Sequence, residues 1–260
     1  MYGKKDPVTG WTSCSNCGRH GKSRSYSGRK WGHLYFIPLI PVGGHVRVLH
    51  ECPHCKKGAH LPADQVEPTL EQLREQVKQA TGAIYEGRDV CELEGQDTSC
   101  ALTLAGVVKP LYALNRAEEV GVILEALQQP GVDPEAYFLT QGASLEYQGD
   151  FPGAAQAYSS AIEAKPDSPR PMLTMGKLRL RLGQFAEARP IYESLLQRYP
   201  DDLNLRSSLL TVYEQLGAYP DLVANYEAIF ERLPHLKKDR KLFKCYQKAC
   251  KQAGTQPVSQ

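Results

Sequence analysis

A chain of 260 residues, 42% hydrophobic and 23% charged, is long enough for one large domain or two modest ones. Its best apolar run, Leu34 to Val42, is far shorter than a bilayer requires and holds two prolines, which excludes a spanning helix there; Met1 to Trp11 is polar, so no secretory signal is read and a cytoplasmic location is expected. The net charge of +2 hides an asymmetry, because residues 1 to 60 carry ten Lys/Arg against two Asp/Glu, residues 61 to 231 carry 13 against 26, and residues 232 to 260 carry eight against one. No phosphate loop, Ser/His/Asp set or pair of carboxylates in a plausible cleft stands out, and a non-enzymatic protein is expected.

Residues 1–62 are organised by sulfur. Cys14 and Cys17 form one C-x-x-C, and Cys52 and Cys55 form a second. Two such pairs match two tight turns that each present two thiolates to a tetrahedral ion, so structural zinc is expected, with iron the poorer fit. Gly18 and Gly58 follow the pairs and suit the left-handed backbone that turns amide groups toward the sulfurs. A region this small has little core, and a bound ion is the expected reason that it folds. Six of the seven histidines (His20, His33, His45, His50, His54 and His60) lie here and are read as solvated, since four thiolates complete the shell.

The run Phe36-Ile37-Pro38-Leu39-Ile40-Pro41 between the two pairs resembles the small bacterial zinc-ribbon proteins. That resemblance covers residues 10 to 60 and implies a β-rich ribbon held by the four cysteines. The spacer is long for a ribbon, which predicts a flexible insertion around Lys22 to Lys30. Two other readings remain open. The basic excess interleaved with Trp11, Tyr26 and Trp31 could contact nucleic acid, although no base-reading motif is present. Cys52-Pro53-His54-Cys55 also matches the tetrapeptide of disulfide oxidases, a thiol-disulfide oxidoreductase reading that needs this pair at the start of a helix.

Residues 63–100 read as a connecting helix, with Leu70, Leu73, Val77 and Ile84 at helical spacing, followed by a linker over Glu86 to Ser99. Cys91, Cys100, Cys245 and Cys250 are read as small buried hydrophobes. Residues 101–134 have helical periodicity and near-repeat length, and read as a degenerate repeat. Over 135–236 three blocks of 34 residues align without a gap, with landmarks at Gly149, Gly183 and Gly217, at Phe151, Phe185 and Tyr219, at Tyr158, Tyr192 and Tyr226, and at Pro166, Pro200 and Pro234. Residues 237–260 hold an amphipathic capping helix and a tail, with Leu242, Phe243, Tyr246 and Ala249 on its apolar side.

These landmarks closely resemble the tetratricopeptide repeat (TPR) family. The resemblance implies a mainly α fold, an α-solenoid of helix-turn-helix repeats behind the small β-rich zinc ribbon. It also implies that small residues (Gly142 with Ala154, Gly176 with Ala188) mark where paired helices cross. The first helices of the repeats would line a groove through Leu139, Ala143 and Tyr147, then Arg170, Leu173, Lys177 and Arg181, then Asn204, Ser207 and Thr211. The expected function is that of an adaptor or scaffold binding another protein or peptide there.

Overall fold

The computed structural model describes residues 2–34, 37–93 and 95–257, with the backbone alone at residues 2–3 and 30–43. Tyr35, Phe36 and the side chains of the Ile37–Pro41 run therefore lie outside the described residues. The chain divides into two compact units, 1–165 and 166–260.

The first unit begins with a four-stranded antiparallel sheet in the order β1 (Tyr2–Ser13), β2 (His20–Leu34), β3 (Ile37–Glu51) and β4 (Ala59–Pro62). Lys22 to Lys30, expected as a flexible insertion, lies within β2 and pairs with β1 on one side and β3 on the other. The reason is visible in the alternation: Ser23 and Ser25 turn inward where Lys22 and Arg24 turn out, and Tyr26 is buried at 2% exposure. Small hydroxyl residues on the inner face hide the period-two signal from a reading based on apolar residues. Thr12 donates to the Ser23 hydroxyl at 3.0 Å, and Ser23 in turn donates to the Gly10 carbonyl at 2.9 Å.

Helix α1 (Ala63–Tyr85) follows, burying Leu70, Val77, Ala80 and Ile84 on one face. The stretch expected as a linker is instead an antiparallel hairpin, β5 (Val90–Leu93) and β6 (Gln96–Ser99), with Gly95 at φ +78° in its turn. Its strands are only four residues long and fully bury one side chain, the small Cys91, too little pattern to register as a strand in the sequence. Helices α2 (Cys100–Ala113) and α3 (Ala117–Ala126) occupy the stretch read as a degenerate repeat. Together with α1, β5 and α4 (Pro134–Gln148) they enclose a core around Leu70, Leu104, Leu111, Ile123, Leu127 and Tyr147. Helix α5 (Phe151–Ala164) pairs with α4 and ends the unit.

The second unit contains α6 (Pro169–Arg181) with α7 (Phe185–Arg198), α8 (Leu203–Leu216) with α9 (Tyr219–Arg232), a 3-10 turn at Pro234–Lys238, and α10 (Arg240–Ala253). Local chemistry sets these boundaries. Asp202 and Asp239 cap α8 and α10 by accepting from backbone amides of the first turn, and Gly149, Gly183 and Gly217 all take a left-handed φ of +66° to +92° between the helices of a pair. The glycines within a pair face a ring of the partner helix. A Cβ at Gly142 would stand 2.3 Å from the Tyr158 ring and one at Gly176 3.1 Å from Tyr192, so the glycine makes room for the buried tyrosine one turn beyond Ala154 or Ala188, both themselves fully buried. Tyr192, Leu195, Leu209, Val212, Phe230, Phe243 and Tyr246 form the core of this unit, closed by the apolar side of α10. Of the cysteines read as buried, Cys91, Cys100 and Cys250 are; Cys245 is exposed, because it lies on the solvent side of α10.

Candidate metal centre and repeat groove

The two C-x-x-C turns have the same backbone. In the first, the Gly18 amide donates to the Cys14 carbonyl at 2.9 Å, and the Cys14 amide to Arg19 at 3.0 Å. In the second, Lys56 donates to Cys52 at 3.0 Å and Cys52 to Lys57 at 2.9 Å. The amides of Asn16 and His54 point at the sulfurs of Cys14 and Cys52, each at 3.4 Å. The left-handed residue is Gly18 in one turn (φ +70°) but Lys56 in the other (φ +58°), not Gly58 as the sequence suggested. Gly58 is needed for a different reason: a Cβ there would approach the Leu49 carbonyl to 2.8 Å.

The two turns meet. Cys14 Sγ lies 3.6 Å from Cys55 Sγ, Cys17 Sγ lies 3.7 Å from Cys52 Sγ, and all four ligand atoms fall within 4.8 Å of one another. A tetrahedral zinc with bonds of about 2.3 Å requires sulfur separations of about 3.8 Å, so the quartet fits such an ion. The thiols are electrostatically unequal. Backbone amides of Cys55 and His54 bring Cys52 down to about 6, whereas Cys17, despite the Arg19 backbone bond, is pushed up to about 11 by burial and by the three neighbouring thiols. Four thiols this close cannot all ionise unless a cation compensates them. The Cys52 pair closes the turn between β3 and β4 and opens no helix, so the setting required by the oxidoreductase reading is missing.

The sheet that carries the quartet rests on α2 and α4, within the same unit. Tyr147 stacks on Tyr112 with ring centroids 4.6 Å apart, and Gly10 lies so close that an added Cβ would meet the Tyr147 ring at 2.1 Å. Trp11 packs edge-on against Phe151 at 5.1 Å and sits over Gly149, where a Cβ would come within 2.6 Å of its indole nitrogen. Arg47, 5% exposed, donates to the carbonyls of Asp6 at 3.1 Å and of Ala113, in the last turn of α2, at 3.0 Å. Two histidines read as solvated belong to this contact. His20 stacks on Trp11 at 5.6 Å, and His50 meets Tyr147 at 6.0 Å, with burial and then Lys109 lowering it to about 4. Several basic side chains of the module are likewise engaged internally: Lys4 pairs with Glu51, and Lys57 donates to Asn16 at 3.1 Å.

Of the ten residues expected to line a groove, Tyr147 is buried under the sheet and is not available to a partner. Leu139, Leu173 and Arg181 are half-buried, Leu173 as part of the second core. Ala143, Arg170, Lys177, Asn204, Ser207 and Thr211 are exposed. The sequence reading missed the docking role of Trp11, Arg47 and Tyr147. A signal existed for Tyr147, since the 34-residue period puts Arg181 and Gln215, both polar, at its place in the other blocks.

Residues 145–221 match the family model described as tetratricopeptide repeat. No curated protein matches the chain in sequence. Solved structures that do match include MamA AMB-1, with a TM-score of 0.47 and 14% identity over 59% of this chain and 80% of that one. MamA MSR-1 matches with a TM-score of 0.45 and 16% identity over 58% and 83%. A tetratricopeptide repeat protein from Parabacteroides merdae matches with a TM-score of 0.40 and 13% identity over 71% and 74%. Among the described residues no helix is long and apolar enough to cross a membrane. With 34-residue helix pairs, left-handed inter-helix glycines and the family match, residues 145–221 are tetratricopeptide repeats, and the N-terminal four-cysteine cluster is consistent with a zinc ribbon.

Proposed function

We propose that this chain is a non-enzymatic adaptor that holds a structural zinc ion in its N-terminal sheet and binds another protein through the first helices of its repeats. The observation that carries the reading is the exposure, on α6 and α8, of Arg170, Lys177, Asn204, Ser207 and Thr211, polar residues at helical spacing with their apolar neighbours consumed by the core. The family match supports protein binding as the general role. Zinc would be held by Cys14, Cys17, Cys52 and Cys55, where it would supply structural cross-linking and compensate thiolate charge. With those four on the ion, the remaining thiols of Cys91, Cys100, Cys245 and Cys250 are in keeping with a reducing, cytoplasmic compartment.

Two measurements test the reading. Elemental analysis of the purified chain should give one zinc per chain, and a Cys14→Ser, Cys55→Ser double variant should lose it. Immobilised intact chain should retain a partner protein that an Arg170→Glu, Lys177→Glu variant of unchanged helicity releases. Retention by both forms alike would remove the groove from the proposal.

A further inference from the structure

The charges of residues 166–260 are sorted by helix. The first helices α6 and α8 and the closing helix α10 together hold ten Lys/Arg and one Asp/Glu, while α7 and α9 hold three and five. Those of α6 and α8 are largely engaged internally: Arg179 pairs with Glu187 at 2.8 Å, Arg206 donates to the Pro200 carbonyl at 2.9 Å, and Arg170 and Arg181 have partners as well. The densest remainder is on α10. Phe243, Tyr246, Ala249 and Cys250 are buried there, whereas Arg240, Lys241, Lys244, Lys248 and Lys251 are exposed, and among the described residues none of the five is in an ion pair. Asp239, the one acidic residue of the closing segment, is occupied in capping the helix.

Helix stability does not account for this pattern. Arg240 and Lys241 stand in the first turn, where a cation opposes the helix dipole, and Lys244 and Lys248 repel one another at i, i+4. Register gives it a context. Leu209, Val212 and Tyr213 of α8 correspond to Tyr246, Ala249 and Cys250 of α10 as buried positions, so Lys241, Lys244 and Lys248 take the places of Asn204, Ser207 and Thr211. The polar row expected to line the groove thus becomes a lysine row on the closing helix, about 15 Å long from Lys241 to Lys251 at 1.5 Å per residue.

We infer that this face docks an acidic segment of a partner protein, with Lys241, Lys244, Lys248 and Lys251 meeting its carboxylates and Asn204, Ser207 and Thr211 available to its backbone. The inference rests on the adaptor reading and names the chemistry of its partner. The observations favour carboxylate-rich protein over the other polyanions. No exposed aromatic lies on α6, α8 or α10 to stack a base, and four of the five cations of α10 are lysines, which lack the bidentate fork that arginine offers a phosphate. The apolar side of α10 is buried in the core, leaving nothing to anchor in a bilayer.

The test uses the full chain and fluorescence anisotropy of a fluorescein-labelled dodecapeptide of alternating glutamate and serine. The triple change Lys241→Glu, Lys244→Glu and Lys248→Glu should weaken binding about tenfold or more. A charge-matched control reversing the exposed Lys5, Lys22 and Lys78 should stay within about twofold, since the inference assigns the peptide to α10 and not to net charge. The milder Lys→Gln triple change, with helicity followed by circular dichroism, shows the same loss if the reversed form is unstable. Equal loss in the control, no loss in either α10 variant, or tighter α10-dependent binding of a single-stranded oligonucleotide or of phosphatidylserine vesicles would overturn the inference. Partner capture that survives reversal of α10 but not of α6 would overturn it while leaving the adaptor reading intact.

Discussion

The landmarks of the helical repeats serve different purposes in the two units. Gly149 and Gly183 occupy equivalent positions and both take a left-handed backbone, yet Gly149 lies under Trp11, whereas around Gly183 the nearest atom that an added Cβ would meet is on Phe185 at 3.9 Å. Tyr147 stands where the later blocks have Arg181 and Gln215, and it is buried against the sheet while Arg181 remains half-exposed. In the first unit, then, the inner face of a repeat has become a seat for the sheet. In the second unit the corresponding face is polar and cationic. Equivalent positions of one periodic scaffold can thus be covered or left exposed by a few side-chain differences that leave the helix pairs themselves unaltered.

The sharpest way to break this comparison is to unmake the cysteine quartet. Zinc contributes about 10–16 kcal/mol of apparent binding energy in isolated zinc-finger peptides, so Cys52→Ser, or exhaustive chelation, should unfold the sheet. Limited proteolysis should then cut within residues 1–62 while the helices of 166–260 keep their circular dichroism. Protection unchanged by metal loss would mean that the seat on α2 and α4 suffices to hold the sheet.

The seat itself is tested by Arg47→Ala, which strands the buried carbonyl of Ala113 and should cost about 2–3 kcal/mol in chemical unfolding of the first unit. Arg47→Lys should recover only part of that, because an ammonium cannot fork between the Asp6 and Ala113 carbonyls. A smaller, paired effect separates the two repeats directly. Gly183→Ala should lose about 1 kcal/mol from left-handed strain, whereas Gly149→Ala adds a clash with the indole and should lose about 2–3 kcal/mol. Equal losses would show that Trp11 yields freely and does not fix the sheet in place. The smallest effect runs the other way: Lys56→Gly relieves a left-handed non-glycine residue and should raise the melting stability of the sheet by a few tenths to about 1 kcal/mol.

Period and chemistry were legible in the amino-acid sequence wherever a signal repeats or is spatially concentrated. The 34-residue spacing announced the helix pairs, the glycines between them and the buried tyrosines, since every unit must solve the same packing problem. Two C-x-x-C turns announced a sulfur quartet, because each turn presets two ligands before any tertiary contact forms. The strand through Lys22–Lys30, whose inner face is mostly small hydroxyl residues, and the four-residue hairpin at Val90–Ser99 were not legible, because each buries too few apolar side chains to show a period. The seating of the sheet belongs to tertiary structure alone. Gly10, Trp11, Arg47 and Tyr147 come from segments far apart in the chain, and only folding brings a missing Cβ opposite a tyrosine ring and a guanidinium beside the end of a helix.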